Sequence, residues 1–252
     1  MCPIQAPLIW TWWKNHLRRR RTGAPVRYQI KYGAQVIKVC ASGGVMSLTG
    51  SPGAQHFSDD ELRAIVDEAH RRGIKVAAHA HGDQGIRAAV EAGIDCIEHG
   101  SLMSEETMEL MIRRGTFLVA TSYLAEGLDV SRVHPLLRAK AEEVFPQAKQ
   151  NLRRAIKAGM RIACGTDAPA IPHGDNAREL WALVDRGMAP IDALRAATIV
   201  SADLIGATDR ARIRPGLLAD LIAVPGNPLN DIEVTQQVQF VMKGGKIYKG
   251  PM

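Results

Sequence analysis

The sequence is short of the features that would place it in several protein classes. It has only four cysteines in 252 residues, Cys2, Cys40, Cys96 and Cys164, and none forms a Cys-x-x-Cys pair. Three of them sit in the apolar runs VIKVC, IDCIEHG and RIACGTD, where free buried thiols are ordinary, so no disulfide framework is implied. No apolar run is long enough to span a membrane. The N-terminal charges come after a short apolar stretch, the reverse of a secretory signal, so a cytoplasmic chain with no membrane partner is expected. A glycine-rich phosphate loop ahead of a helix is also missing, which counts against a flavodoxin-like binding domain.

Acidic residues are absent from the first 24 positions, which hold Lys14 and Arg18 to Arg21. That stretch carries five of the six net positive charges, leaving the rest of the chain at about +1. A basic tail is not a basic groove, so nucleic acid is not an expected partner. The same stretch holds Trp10, Trp12 and Trp13, three of the four tryptophans, and shows neither helical nor strand periodicity. Residues 1–24 therefore read as an atypical segment, poorly ordered and foreign to the rest of the chain. Hydrophobic content of 46% and charged content of 23% are those of an ordinary globular protein with a full core.

What is present from residue 34 onward is a repeat. Short apolar runs at 36–40, 74–79, 94–98, 116–121 and 160–164 alternate with helical patterns near 59–72, 84–92, 105–114, 136–158 and 177–186. Ser58 with Glu61 makes a capping box ahead of Leu62, Ile65, Val66 and Ala69. Gly73, Gly93, Gly115 and Gly159 stand where a helix would end in the left-handed conformation, each just before a strand pattern. Apolar runs without alternation suit parallel strands buried on both faces. Strand–helix repetition predicts an α/β fold with a right-handed parallel sheet. Five strands fit part of a TIM-type (β/α) barrel, which closes with eight, or an open doubly wound sheet. The tail is different: ADLIAV, a Pro225-Gly226-Asn227-Pro228 turn, then VQFVMKGGKIYKG read as β-strands with a hairpin at Gly244-Gly245.

In such sheets chemistry gathers at the C-terminal ends of the strands. Lys38 lies within VIKVC, His79 ends IKVAAH, His99 ends IDCIEHG and Asp167 ends RIACGTD. Taken singly, each has an ordinary explanation: a snorkelling lysine, core histidines, an aspartate helix cap. Taken together, two imidazoles, a carboxylate and an amine at successive strand ends are costly to bury unless they serve one site, and a metal would satisfy all four. His81 lies two residues past His79 and is expected to point elsewhere, near substrate. Tyr123 comes after the strand LVAT and reads either as a contact for a substrate carboxylate or as a rim aromatic, and His173, which begins the loop after Asp167, reads as a further substrate-side candidate or as a loop residue behind the site. Gly43-Gly44 let the backbone approach the site, and residues 42–57 read as a lid.

These runs, IKVCASGGVMS, AAHAHG, IEHG twenty residues after His79, CGTDAP and IRPGLLADLIAV, resemble the amidohydrolase superfamily, nearest to its Xaa-Pro dipeptidase and imidazolonepropionase-like members, over residues 25–252. The resemblance implies a metal-dependent hydrolase that cuts a C–N amide bond in a dipeptide-like or cyclic small molecule with metal-activated water. It implies that Lys38 is carboxylated and bridges two metals, that His79 and His99 ligate the more exposed one, and that Asp167 ligates the other and shuttles protons. Zinc is the expected metal, one or two ions. Residues 25–206 would form barrel strands four to eight, and 207–252 the return to a small β-sandwich. The family's His-x-His pair on the first barrel strand has no counterpart upstream of Lys38, where His16 is the only histidine. The competing expectation is therefore a chain without the first three strands: a catalytically inactive fragment with residual metal binding. Homo-oligomer formation stays open.

Overall fold

The computed structural model describes residues 23–250. The expectations for the first 24 positions, including those for Trp10, Trp12 and Trp13, lie almost wholly outside the described residues. Helix α1 (Gly23–Lys31) leads into strand β1 (Val36–Cys40). Four more strand–helix steps come next: α2 (Asp59–His70), β2 (Lys75–Gly82), α3 (Asp83–Glu91), β3 (Cys96–Leu102), α4 (Glu105–Arg114), β4 (Phe117–Val119), the short α5 (Leu124–Gly127), the long α6 (Pro135–Lys157) and β5 (Ile162–Ala163). After β5 come α7 (Arg178–Asp185), α8 (Pro190–Arg195), a π-helical turn (Ala196–Val200) and α9 (Ser201–Ile205).

The five strands are all parallel and lie in the order β1-β2-β3-β4-β5. Strict sequence order means that every crossover advances the same way, so the sheet is singly wound. That is the arc of a (β/α) barrel and not a doubly wound sheet, whose order reverses at a switch point. One face carries Ile37, Val39, Val76, Ala78, Ile97, Leu118 and Ile162 into the main core, against Leu62, Ile65, Ile86, Met111 and Leu152 of the surrounding helices. The other, concave face carries Ala77, Cys96, Phe117, Val119 and Ala163, and Val200 and Leu204 pack across it. Three antiparallel strands, β6 (Leu221–Ala223), β7 (Phe240–Lys243) and β8 (Lys246–Lys249), form a separate sheet. The Gly244-Gly245 turn joins the last two, both glycines at positive φ.

The local signals explain these boundaries. The Ser58–Glu61 capping box is formed in both directions. Gly73, Gly93, Gly115 and Gly159 all adopt left-handed φ, between 68° and 94°, and each hands the chain to the next strand. The strands differ from expectation at their ends. β2 runs three residues beyond His79 and β3 four beyond Glu98, whereas β4 and β5 shrink to three and two residues. Among the described residues the sheet ends at β1 and β5, and the outer side of β5 is partly covered: the Cys164 N–H donates to the Ala196 carbonyl and the Ser201 hydroxyl, each at 3.2 Å.

Candidate metal centre

Three histidines meet at the C-terminal ends of β2 and β3. His79 and His81 are both on β2, and side chains two apart on a strand share a face. The expectation that His81 points elsewhere therefore gives way, because β2 continues through it. His99 arrives from β3, paired with Ala80. One ring nitrogen from each of His79, His81 and His99 lies within 4.8 Å of the other two. The His81 and His99 rings stack at 10°, with centroids 4.7 Å apart, and His79 stands edge-on to both.

Two of the rings are held from outside the cluster. His81 Nδ1 is 2.8 Å from the Ser101 hydroxyl. His99 Nδ1 is 2.7 Å from Thr121 Oγ1, and that hydroxyl donates its own proton to the Ala120 carbonyl at 2.7 Å. With that hydroxyl directed at Ala120, the Thr121 oxygen is the acceptor toward His99, an arrangement that favours the tautomer with its proton on Nδ1 and Nε2 as the basic nitrogen. Burial lowers all three imidazoles. His79 falls to about 4, helped by the nearby Lys38 charge and opposed by a hydrogen bond to the Gly43 backbone. His81 falls to about 3 through burial and its His79 neighbour. His99 drops well below its usual range through burial, then His81, His79 and Lys38. At neutral pH all three are uncharged, the state in which imidazole ligates a cation.

The backbone is strained at the same place. Four non-glycine residues have positive φ among those described, and three of them are His99 (71°), inside β3, and Thr121 (48°) and Asp167 (56°), in the loops after β4 and β5. Such conformations cost about 1–3 kcal/mol each and concentrate at functional sites. Gly44 lets the chain close over the cluster: a Cβ there would sit 3.4 Å from His79 Nε2. Gly43 is more constrained, since a Cβ would come 2.0 Å from the Ser51 carbonyl oxygen. The segment read as a lid is strapped down. Ser42 Oγ accepts from the His81 N–H at 2.8 Å, and Lys140 Nζ donates to the Ser47 and Gly50 carbonyls at 2.8 and 2.7 Å.

The remaining expected residues fall less closely. Lys38, on β1, points to the concave side with its side chain 46% exposed and its Nζ 3.8 Å from Glu98 Oε2. Its charge still acts on His79, His99 and Asp167. Asp167 comes after β5 and stands outside the close histidine group. The residue is exposed as a whole, yet partial burial of its carboxyl raises its pKa while Lys38 pulls it back. Tyr123 is buried, with Arg178 Nη1 donating to its hydroxyl at 3.0 Å. His173 is exposed and makes no side-chain hydrogen bond or ion pair among the described residues. Residues missed in the sequence are Ser101 and Thr121, which hold two rings, and Glu179, which anchors the loop after β4. A cavity of about 30 Å³ lies beside His81 and His99. A larger one of about 780 Å³, lined by Arg161, Arg195 and Arg212, lies at the start of β5 and shares no residue with the cluster.

A singly wound parallel sheet with its polar groups gathered at the strand C-termini belongs to the (β/α)-barrel class. The chain is a member of the amidohydrolase family, whose profile matches residues 8–248. It is 44% identical over 235 residues to ochratoxinase of Aspergillus niger, covering 90% of this chain and 48% of that protein. It is 29% identical to imidazolonepropionase of Deinococcus deserti, covering 71% of this chain and 42% of that one. The crystal structure of a Xaa-Pro dipeptidase with bound methionine superimposes with a TM-score of 0.89 at 39% identity, over 93% of this chain and 59% of that one. The chain spans about half the length of the curated relatives it matches.

Proposed function

We propose that the chain forms the metal-binding part of a hydrolase that cleaves a C–N amide bond in a dipeptide-like small molecule. The observation that carries this is the cluster of three imidazoles, each with one ring nitrogen within 4.8 Å of the others. That donor set fits a borderline divalent cation such as zinc. His79, His81 and His99 would hold it. A bound ion there would supply Lewis acidity and lower the pKa of a water molecule. Lys38, approaching from β1, would join the ligands as a carbamate, because an ammonium repels a cation and a carbamate does not. The Asp167 carboxylate, its affinity for a proton raised by burial, would take a proton from the attacking water and return it to the leaving amine nitrogen. Tyr123 and Arg178 would meet a substrate carboxylate, the guanidinium already within 3.0 Å of the phenol oxygen.

A second reading, metal binding without turnover, is favoured by one observation. Lys38 is 46% exposed, and no strand pairs with the outer side of β1 among the described residues. Water at that wall weakens the electrostatic stabilisation that acyl transfer needs. Chain loaded with zinc and bicarbonate and assayed on Xaa-Pro and N-acyl dipeptides separates the readings. Turnover abolished by Asp167→Asn supports hydrolysis, zinc bound without turnover supports the second reading, and no bound metal removes both.

A further inference from the structure

Glu179 is the largest polar commitment in the core that the proposed chemistry does not use. It lies on the first turn of α7, 1% exposed, fifty-eight residues beyond Thr121 in the chain. Its two carboxylate oxygens accept from consecutive backbone amides: Oε1 from the Ser122 N–H and Oε2 from the Tyr123 N–H, both at 2.8 Å. Those amides belong to the turn that begins at Thr121, a β-branched residue held at φ 48°. A β-branched side chain reaches that conformation only when its surroundings impose it. The two bonds to Glu179 supply that constraint.

The same turn decides the state of His99. Thr121 gives its hydroxyl proton to the Ala120 carbonyl and offers its oxygen to His99 Nδ1, at 2.7 Å for each bond. We infer that Glu179 is a positioning residue for the histidine cluster: by pinning the Ser122–Tyr123 amides it sets Thr121, and through Thr121 it fixes the tautomer and ring orientation of His99. No member of this relay other than His99 offers a nitrogen to the cluster. The inference rests on the metal-centre reading for its purpose, but the relay itself is a property of the metal-free chain.

His81 is an internal control. Its Nδ1 is held by Ser101 on β3, not by the turn after β4, so it lies off the relay. Glu179→Gln keeps size but replaces one acceptor with an NH2 donor facing a backbone N–H. Glu179→Asp keeps both acceptors on a shorter reach, which guards against a variant that fails to fold. Thr121→Val removes only the last link.

The experiment is long-range 1H–15N correlation of the histidine rings in metal-free protein labelled with 15N-histidine, with zinc titration as the second step. In the unmodified chain His99 should show one tautomer with the proton on Nδ1. In Glu179→Gln, Glu179→Asp and Thr121→Val its ring nitrogens should move toward a tautomer average, while those of His81, held by Ser101 but stacked on His99, should shift far less and keep one tautomer. The zinc dissociation constant should rise about 10- to 100-fold in the same variants. A folded Glu179 variant whose His99 signals match those of the unmodified chain overturns the inference, as does an equal change at His81, which would mark a general loosening. If the unmodified chain binds no zinc, the metal reading fails while the tautomer result still decides the relay.

Discussion

Replacing His81 by alanine separates two roles for that side chain. If it is a ligand within the close group, His81→Ala should raise the zinc dissociation constant at least tenfold, as His99→Ala should, a loss of about 1.4 kcal/mol or more. If it serves substrate alone, zinc affinity stays put and only KM moves. Isothermal titration with zinc decides between them. The sequence places His81 beside His79 without showing that both share a face, because the apolar run ends at His79 while the strand continues three residues further. Lys38, His79, His99 and Asp167 are legible as ionisable residues in or just after the apolar strand runs, although β1, β2 and β3 continue past the first three. Ser101, Thr121 and Glu179 are not. A glutamate opening an amphipathic helix reads as a solvated first-turn residue, and only the fold reveals that its carboxylate points at two amides from another crossover.

Burial also gives Glu179 a pH signature. Loss of solvent pushes it up to about 7, with the Tyr123 and Ser122 amides and Arg186 acting against the rise. Its folded pKa is thus above its unfolded one. Between about pH 4.5 and 7 the folded state holds a proton that the unfolded state has released, so stability falls as pH rises through that window. The contribution is about 3 kcal/mol at 1.36 kcal/mol per pKa unit. Urea unfolding at pH 5 and pH 7.5 should show a smaller decline in Glu179→Gln than in the unmodified chain. Parallel pH dependences would remove the raised pKa.

At the scale of elements, helix α2 shows how much of the architecture local chemistry specifies. Ser58 Oγ accepts from the Glu61 N–H, and the Glu61 side chain accepts from the Ser58 N–H at 2.9 Å. Ser58→Ala should cost about 1 kcal/mol, lowering the melting temperature by about 2–4 °C in a domain of this size without changing zinc affinity. Calorimetry with and without zinc tests both halves. Such caps, with the left-handed glycines, make the strand–helix repeat legible. The run from Pro190 to Ile205 is not, because its alanines and β-branched residues carry no breaker to mark where α8 passes into the π turn and α9. That run matters for the barrel, since Val200 and Leu204 cover the concave face.

At the scale of the whole molecule, the concave face grades from dry to wet. Ala77, Cys96, Phe117 and Val119 are buried, whereas Val36 on β1 is 52% exposed and Lys38 nearly as open. The burial of β1 alternates, with Ile37 and Val39 sealed under the helices and their neighbours facing out to the concave side. Among the described residues no strand pairs with the outer edge of β1, and a parallel edge of that kind with an apolar residue exposed on it is a template for another strand. The chain is therefore expected to self-associate through β1 as its concentration rises. Val36→Lys places a charge on that edge, the device by which natural edge strands resist pairing. Sedimentation velocity across a hundredfold concentration range should show association weakened in Val36→Lys while zinc affinity stays within about twofold, since Val36 lies at the opposite end of β1 from the cluster. Association that persists unchanged in Val36→Lys would place the contact elsewhere on the molecule, and a chain monomeric throughout would mean that the β1 edge is protected in solution.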